Sequence, residues 1–299
     1  MTPDERYPHL APAAAAIADS DDETRIAYIQ RDRFVLHTEA EEILNELESL
    51  YRMEDAVRPQ GRLLVGRSLM GKSTILEEFM LNHRASDNPD GDAAVVPVVR
   101  VQYPDQAREG IYPEILARLN AHLPTNSKSQ DVRRHAVDLL KRVGMRLLLI
   151  DEFHNVLEGS ATAQRKALNS VKYLMNELRR PVVVAGTVEV LNAVKSDEQI
   201  HSRLRPFPLR RFEDDERFQE LLAGFEVIIP LRNASGLTDP VLSSRIYEHT
   251  LGIVGHVSDL LNKTALLAIK EGAEQITAEL VDATKWEARQ DEAKILAIL

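Results

Sequence analysis

The sequence predicts an α/β protein whose core has three layers, a parallel sheet between helices, followed by a small region made only of helices. Two apolar runs, residues 93–101 and 147–150, have the continuous or nearly continuous hydrophobicity of strands that are buried on both faces. Segments with apolar residues at helical spacing alternate with these runs, which is typical of a parallel sheet covered by helices. After residue 213 only helical patterns remain.

The composition indicates a globular protein without a membrane-spanning segment. With 299 residues, 44% hydrophobic and 28% charged, the chain is long enough for one large domain and a small one. No apolar run approaches the roughly 18 residues of a membrane helix, and residues 1–18 lack the pattern of a signal peptide. The sequence contains no cysteine, which excludes disulfides and cysteine-bound zinc. We therefore expect a cytoplasmic protein.

The chain divides into four predicted parts. Residues 1–24 combine prolines, an alanine run and acidic residues without periodicity, so we expect a mobile N-terminal arm or a docking segment. Residues 25–212 form the predicted α/β core with a helical lead-in. Residues 213–287 carry four helical patterns and are expected to form a lid subdomain, and residues 288–299 are a tail.

The first motif is a phosphate-binding loop that fits G-x-x-x-x-G-K-[ST]. Its two glycines let successive backbone N–H groups converge, and the helix that follows adds its positive N-terminus. Lys72 would reach the outer phosphates of a nucleotide, and the Ser73 hydroxyl would hold Mg²⁺. A glycine-containing surface turn would explain neither residue. The predicted nucleotide cradle is Gly66, Arg67, Ser68, Leu69, Met70, Gly71, Lys72, Ser73 and Thr74.

The second motif is the acidic pair Asp151 and Glu152, which ends the apolar run 147–150. The carboxyl ends of parallel strands form the ligand-binding edge of an open sheet. Asp151 would hold Mg²⁺ through water, and Glu152 would orient and deprotonate the water that attacks the γ-phosphate. The alternative is a polar strand end that caps the next helix. We interpret His154 as a structural histidine beside the site.

Three further residues are candidates for sensing or completing the reaction. Thr187 ends the predicted strand 181–187, where it would lie beside the γ-phosphate, cap the next helix, or do both. Arg203 is the candidate arginine finger, with Arg205 as a second, because such an arginine stabilises charge on the transferring phosphate. Both lie too far along the fold to reach their own subunit's phosphate, so we expect a neighbour's nucleotide and a ring or filament. The alternative is a surface salt-bridge pair.

The net charge of −10 is unevenly distributed along the chain. Residues 160–212 contain ten basic and four acidic side chains, a local charge of +6. Such a zone fits a solvated face, a subunit edge that contacts anions, or a groove for nucleic acid. For DNA contacts we favour Arg165, Lys166 and Lys172, because they precede the strand that ends in Thr187, although no motif supports any one of them.

These motifs resemble those of the AAA+ ATPases and, more narrowly, those of the TniB family of ATP-dependent transposition regulators. That family is related to TnsC and more distantly to MuB and the IstB helper ATPases. The similarity runs from about residue 25 to residue 280. It is carried by residues 66–74, 99–104, 148–155, 174–178, 185–187, 196–200, 222–226 and Arg203.

The resemblance implies a homo-oligomer, a ring or helical filament, that assembles with ATP on duplex DNA without sequence preference. It also implies recruitment or activation of a DDE transposase, often with a TniQ-type target-selection protein, and slow Mg²⁺-dependent ATP hydrolysis that controls disassembly. Arg203 is the best match to the intersubunit arginine finger. Many AAA+ lids carry a sensor arginine where this chain has residues 255–259, which contain none. We therefore expect weak lid-coupled hydrolysis, or a substitute such as His256 or another subunit.

Two other functions fit the same motifs. A replication initiator or helicase loader would share the ATPase core, but initiators usually add a winged-helix domain, and only a short tail follows Trp286. A protein-interaction scaffold would use ATP as a static switch, and Glu152 argues against it. We therefore favour the transposition regulator.

Overall fold

The computed structural model describes residues 3–89, 91, 93–105, 110–122, 128–284 and 286. The chain separates into two compact units. The core unit is Glu42–Arg210, and the terminal unit combines Met1–Glu41 with Arg211–Leu299. The predicted tail at residues 288–299 lies outside the described residues.

A parallel sheet organises the core unit. Among the described residues it has five strands, in the spatial order second, third, fourth, first, fifth, and every hydrogen-bonded pair is parallel. The third and fourth strands are buried along their whole length. The strands are β1 Gly61–Val65, β2 Val98–Gln102, β3 Leu147–Asp151, β4 Val182–Gly186 and β5 Leu204–Pro208.

Helices connect the strands, because parallel neighbours need crossover connections. A short 3₁₀ helix, Phe153–Glu158, follows β3. The described α-helices are α1 Pro3–Arg6, α2 Pro12–Ala18, α3 Asp22–Ile29, α4 Thr38–Tyr51, α5 Lys72–Asn82, α6 Ile111–Arg118, α7 Ser129–Arg142, α8 Ala161–Leu178, α9 Val190–Lys195, α10 Glu198–His201, α11 Glu216–Glu226, α12 Pro240–Thr250, α13 Val254–Glu271 and α14 Ala278–Ala283.

The strand order brings three strand ends to one edge of the sheet. β4 lies between β3 and β1, and the register pairs Ile150 with Val184 and Leu64 with Ala185. The segments after β1, β3 and β4 therefore leave the sheet side by side. This sheet and the helical C-terminal region confirm the predicted α/β fold.

Strand β2 is shorter than the sequence predicts. The predicted run began at residue 93, but the strand begins at Val98, directly after Pro97. Proline has no N–H to donate to a ladder. The carbonyl oxygen of Pro97 accepts from the N–H groups of Arg146 and Leu147, while Val95 pairs with Ser86 in an isolated antiparallel bridge.

In place of the expected mobile arm, the structure has helices α1 and α2 and the start of α3. On α2 the residues Ala14, Ala15 and Ala18 are fully buried, and the Ala11 N–H donates to the carbonyl of Val227 at 2.8 Å. Alanines give little hydrophobic contrast, so their burial leaves no periodic signal in the sequence. Residues 1–41 thus belong to the terminal unit together with α11–α14.

Arg25 connects this N-terminal segment to the rest of the terminal unit through hydrogen bonds and an ion pair. Its side chain is fully buried, and Nη1 lies 2.9 Å from Oε1 of Glu274 while Nη2 pairs with the other carboxylate oxygen. Nε and Nη2 also donate to the carbonyl of Pro230 at 3.2 and 3.0 Å. The charge is therefore paired and hydrogen-bonded, as a buried arginine requires.

No helix in the described part of the chain is both long and apolar enough to cross a membrane.

Candidate nucleotide-binding site

The loop between β1 and α5 has the geometry of an anion cradle. Leu69 has φ 64° and Gly71 has φ 87°, so the chain twice enters the left-handed region. Gly66 has no room for a side chain, because a Cβ would stand 2.7 Å from the carbonyl oxygen of Leu209. Helix α5 begins directly after Gly71 without a side-chain cap, which leaves its first N–H groups available to an anion.

Lys72, the first residue of α5, folds back over this loop. Its Nζ donates to the carbonyl oxygens of Gly66 and Arg67, each at 2.8 Å, and the residue is 8% exposed. Burial lowers the pKa of the Lys72 ammonium, while the negative charges of Glu152 and Asp151 act in the opposite direction. The lysine therefore lies at the loop and within the field of both predicted acidic residues.

Asp151 ends strand β3 with its carboxylate almost enclosed, at 1% exposure. Its Oδ1 accepts from the N–H of Glu152 at 2.9 Å. Its Oδ2 lies 2.7 Å from Nη2 of Arg100 on the neighbouring strand β2. Nη1 of the same arginine lies 2.6 Å from Oε2 of Glu77 on α5. Arg100 thus connects the strand that ends in Asp151 with the helix that begins at Lys72.

Arg100 is a site residue that the motifs did not identify. The available signal is its residue type, because a single cation within an apolar, buried strand needs a carboxylate partner. The parallel register places Gln102 opposite Asp151 and so brings residue 100 close to that partner.

The residues at the loop fit Mg²⁺. Ser73 and Asp151 supply a hydroxyl and a carboxylate, and oxygen atoms are the ligands that Mg²⁺ takes in proteins. Ser73 is on the first turn of α5, next to Lys72, and Asp151 is at the sheet edge from which that helix departs. The described residues contain no group of three or more histidine or acidic side chains placed to hold a metal ion.

Glu152 has a strained backbone. Its φ of 53° and ψ of 33° lie in the left-handed region, which costs a residue with a side chain roughly 1–2 kcal/mol. This conformation turns the chain from β3 into the 3₁₀ helix. The carboxylate remains 39% exposed, and its Oε2 lies 3.2 Å from Nε2 of His154. His154 is therefore a direct neighbour of the predicted catalytic base.

Thr187 follows the last residue of β4 at the same sheet edge. Helix α9 begins at Val190, and its N-cap residue is Glu189, so Thr187 does not cap this helix. The Thr187 hydroxyl hydrogen-bonds to Glu189 and is the largest influence that lowers the pKa of that carboxylate, with smaller contributions from His154 and Arg67. After Arg100, Glu189 is the second residue near the loop that the sequence did not indicate.

Arg203 lies at the amino ends of the strands, whereas the phosphate loop lies at their carboxyl ends. β5 runs parallel to β1 with Leu204 opposite Gly61, and the Gly61 N–H donates to the carbonyl of Arg203 at 2.9 Å. The phosphate loop follows the other end of β1, about 15 Å away at ~3.3 Å per residue. Arg203 Nη1 donates to Asn176 Oδ1. Arg205, the second candidate, is exposed on β5.

The three predicted DNA contacts on α8 differ in their surroundings. Arg165 and Lys166 are exposed. Lys172 is half-buried, and its Nζ lies 3.5 Å from Oδ2 of Asp197. The structure therefore leaves two of the three cations available to a partner and ties the third to an acidic side chain.

His256, the proposed substitute for the missing sensor arginine, is buried on α13. Its ring packs edge-on against Trp286 at a centroid distance of 5.5 Å. Its Nε2 has no hydrogen-bond partner among the described residues. In this arrangement the imidazole is not presented to a ligand.

A parallel sheet with a glycine-rich phosphate loop after β1 and an acidic pair at the end of β3 defines the P-loop ATPase class. Within that class the fold is that of the AAA+ proteins. The family described as Bacterial TniB protein matches residues 25–214. This chain belongs to the TniB family. Among curated proteins, none is significantly similar in sequence.

Several solved structures have a similar fold. The Aeropyrum pernix ORC1 protein, solved with DNA, has 17% identity and a TM-score of 0.59, and the match covers 87% of this chain and 68% of that one. The Aeropyrum pernix ORC2 protein, in ADPNP and ADP complexes, has 16% identity and a TM-score of 0.58, over 86% and 71%. Domain III of Thermotoga maritima DnaA has 13% identity and a TM-score of 0.53, over 84% and 93%.

Proposed function

We propose that this TniB-family protein is an ATP-dependent regulator of DNA transposition. In its ATP state it oligomerises on duplex DNA, as a ring or helical filament, and recruits or activates a DDE transposase, with a TniQ-type protein selecting the target. Slow ATP hydrolysis then controls disassembly. The observation that supports this best is the position of Lys72 at the phosphate loop, within the field of Asp151 and Glu152, in a chain of this family.

The loop and α5 would bind the phosphates of ATP. The uncapped N–H groups of α5 face an anion favourably, and Lys72 can exchange its two carbonyl acceptors for phosphate oxygens. Ser73 and Asp151 would hold Mg²⁺, which would neutralise part of the negative charge on those oxygens. Arg100 holds the Asp151 carboxylate in one orientation beforehand.

Glu152 would act as the general base for hydrolysis. The oxygen of water bonds to the γ-phosphorus while the bond from phosphorus to the bridging oxygen breaks. The electron pair of the broken bond stays on the bridging oxygen, which leaves as part of ADP. Glu152 accepts the proton of that water and returns it to the phosphate product. His154, 3.2 Å from the carboxylate, limits the orientations that Glu152 can take.

Arg203 would serve the nucleotide of a neighbouring copy. It lies at the amino ends of the strands, and the phosphate loop of the same subunit lies at the carboxyl ends. A transferring phosphate near Arg203 would therefore come from another subunit. An arginine supplied in this way makes turnover depend on assembly.

DNA contacts would come from the core unit. That unit contains 24 basic and 22 acidic side chains, a net charge of +2, whereas the terminal unit carries −12. Contacts from exposed cations such as Arg165 and Lys166 to backbone phosphates need no base sequence and weaken steeply with salt.

Sedimentation with duplex DNA tests the proposal. The wild-type protein should pellet with DNA in the presence of ATP and Mg²⁺, and Lys72→Ala should lose this property. Glu152→Gln should keep ATP-dependent assembly while its turnover falls at least about a hundredfold, because only the base is removed. The same assembled sample should stimulate strand transfer by a DDE transposase encoded with it.

Lys270→Ala is the matched control, because this lysine is exposed on the last turn of α13 in the terminal unit. It should sediment like the wild type. Sedimentation that needs no ATP, or that survives Lys72→Ala, would overturn the proposal.

A further inference from the structure

Two arginines lie together at the amino ends of β1 and β5. Arg58, in the connection between α4 and β1, donates from Nη2 to the hydroxyl of Ser202 at 2.8 Å. Ser202 directly precedes Arg203, which donates from Nη1 to the side chain of Asn176. Both guanidinium groups are therefore held by neutral partners.

The two positive charges are not compensated within the described part of the chain. No carboxylate there lies within ion-pair distance of Arg58 or Arg203, and Nε of Arg203 is buried without a partner. Burial and then the positive charge of Arg58 lower the pKa of the Arg203 guanidinium. Two arginines close together without an acid favour a bound anion.

The nearby acidic residues are already paired with other cations. Asp55 lies 2.7 Å from Nη2 of Arg180, and Glu54 lies 3.9 Å from Nη2 of Arg146. The connection that carries Arg58 thus contains two carboxylates, and both are paired with other arginines.

We propose that Arg58 and Arg203 form a two-arginine site for the terminal phosphate of ATP bound to a second copy of this chain. The site rests on the proposed ATP-dependent assembly. The second arginine that contacts this phosphate is then Arg58, in the connection between α4 and β1, and not Arg205. Two planar guanidinium groups can contact separate phosphate oxygens and share the charge that develops during transfer. The phosphate loop of the same subunit lies at the far end of β1, so a nucleotide bound there would not supply this anion.

Single substitutions test the role of Arg58. Arg58→Ala should reduce ATP turnover of the assembled protein at least roughly tenfold. Binding of a fluorescent ATP analogue to dilute, unassembled protein should stay within about twofold of wild type, because the loop is intact. Arg52→Ala is the matched control, since Arg52 lies at the end of the preceding helix and pairs with Glu48 on the surface. It should leave turnover unchanged.

Mixing variants tests whether the arginines act on a second copy. Glu152→Gln assembles with ATP and keeps both arginines but cannot hydrolyse ATP, and the double variant Arg58→Ala/Arg203→Ala keeps its phosphate loop and Glu152. Each alone should be inactive, whereas a mixture should recover turnover, because about a quarter of random head-to-tail interfaces combine an intact Glu152 with intact arginines.

Several outcomes would overturn the site. Unchanged turnover in Arg58→Ala, or no recovery in the mixture, would do so while leaving wild-type assembly, and the proposed function, intact. A loss of DNA affinity without a loss of turnover per assembled subunit would assign Arg58 to DNA instead. Absence of ATP-dependent assembly in the wild type, seen by light scattering, would refute the proposed function itself. If Arg58→Ala does not fold, Arg58→Lys keeps the charge and should still show reduced turnover.

Discussion

Arg100 contacts two carboxylates that differ greatly in exposure. The side chain of Asp151 is 1% exposed, whereas that of Glu77 is 42% exposed. A carboxylate without access to water depends on its cation, while an exposed one is stabilised by solvent as well. The pair of Arg100 with Asp151 should therefore contribute much to stability, and the pair of Arg100 with Glu77 should contribute little.

Replacing Arg100 with methionine would leave Asp151 buried without a cation. We expect the free energy of unfolding to fall by about 3–5 kcal/mol. Mg²⁺ should restore part of this loss, because it supplies positive charge to the same carboxylate. Urea unfolding with and without Mg²⁺ measures both effects. Glu77→Gln, the matched control, should cost less than about 1 kcal/mol. Equal losses in the two variants would contradict the prediction.

At the scale of elements, helix α4 begins with a histidine in the place of the usual capping residue. The N–H of Ala40 donates to Nδ1 of His37 at 3.2 Å, which requires an unprotonated Nδ1. The ring packs edge-on against Phe212 with centroids 5.2 Å apart. Burial, and then the charge of Arg217, lower the pKa of His37 to about 4, and Glu220 opposes this shift.

This cap should make the protein sensitive to mild acid. Unfolded His37 binds a proton near its ordinary pKa of 6.5, whereas folded His37 does so only near 4. As the pH falls below 6.5 the unfolded state therefore gains the proton first, and stability is lost down to about pH 4. We expect about 2 kcal/mol of loss between pH 7 and pH 5 from this residue.

The variant His37→Asn tests this expectation by chemical denaturation at the two pH values. Asparagine can cap a helix and does not titrate, so most of that acid-dependent loss should disappear. The same loss in variant and wild type would show that other groups cause it.

At the scale of the whole molecule, the terminal unit is built from both ends of the chain. Arg25 and Glu274 are 249 positions apart and form its most buried ion pair among the described residues. Arg232 also contacts Glu274 at 3.1 Å and donates to the carbonyl of Ala18. The first helices are therefore part of this unit's structure.

Breaking the Arg25 pair should destabilise the terminal unit. Arg25→Met leaves Glu274 without its buried cation and should cost about 3 kcal/mol in urea unfolding. The double variant Arg25→Met/Glu274→Gln should lose less than the sum of the single variants, because both remove the same interaction. Arg6→Met, which removes the exposed pair with Asp19, should cost much less than Arg25→Met. Strict additivity of the Arg25 and Glu274 losses would contradict this reading.

Local patterns in the sequence were sufficient for most of the fold and for the loop. The strand ending in Asp151 and Glu152, the phosphate loop and the helical C-terminal region each depend on neighbouring residues, so period and residue type predict them. The burial of α2 was not predictable, because Ala14, Ala15 and Ala18 have little hydrophobic contrast. Arg100 was not predictable as a partner of Asp151, because that contact depends on strand order and register.

The sequence by itself determined the family, the fold class and the position of the phosphate loop, because these reside in short segments whose spacing is sufficient to specify them. The tertiary structure alone decided which charges meet. It paired Arg100 with Asp151, and it left Arg58 and Arg203 close together with no carboxylate of the described residues in ion-pair contact with either. The reason is physical: the Coulomb energy of two charges depends on their distance in space and their burial, and neither quantity is contained in their separation along the chain.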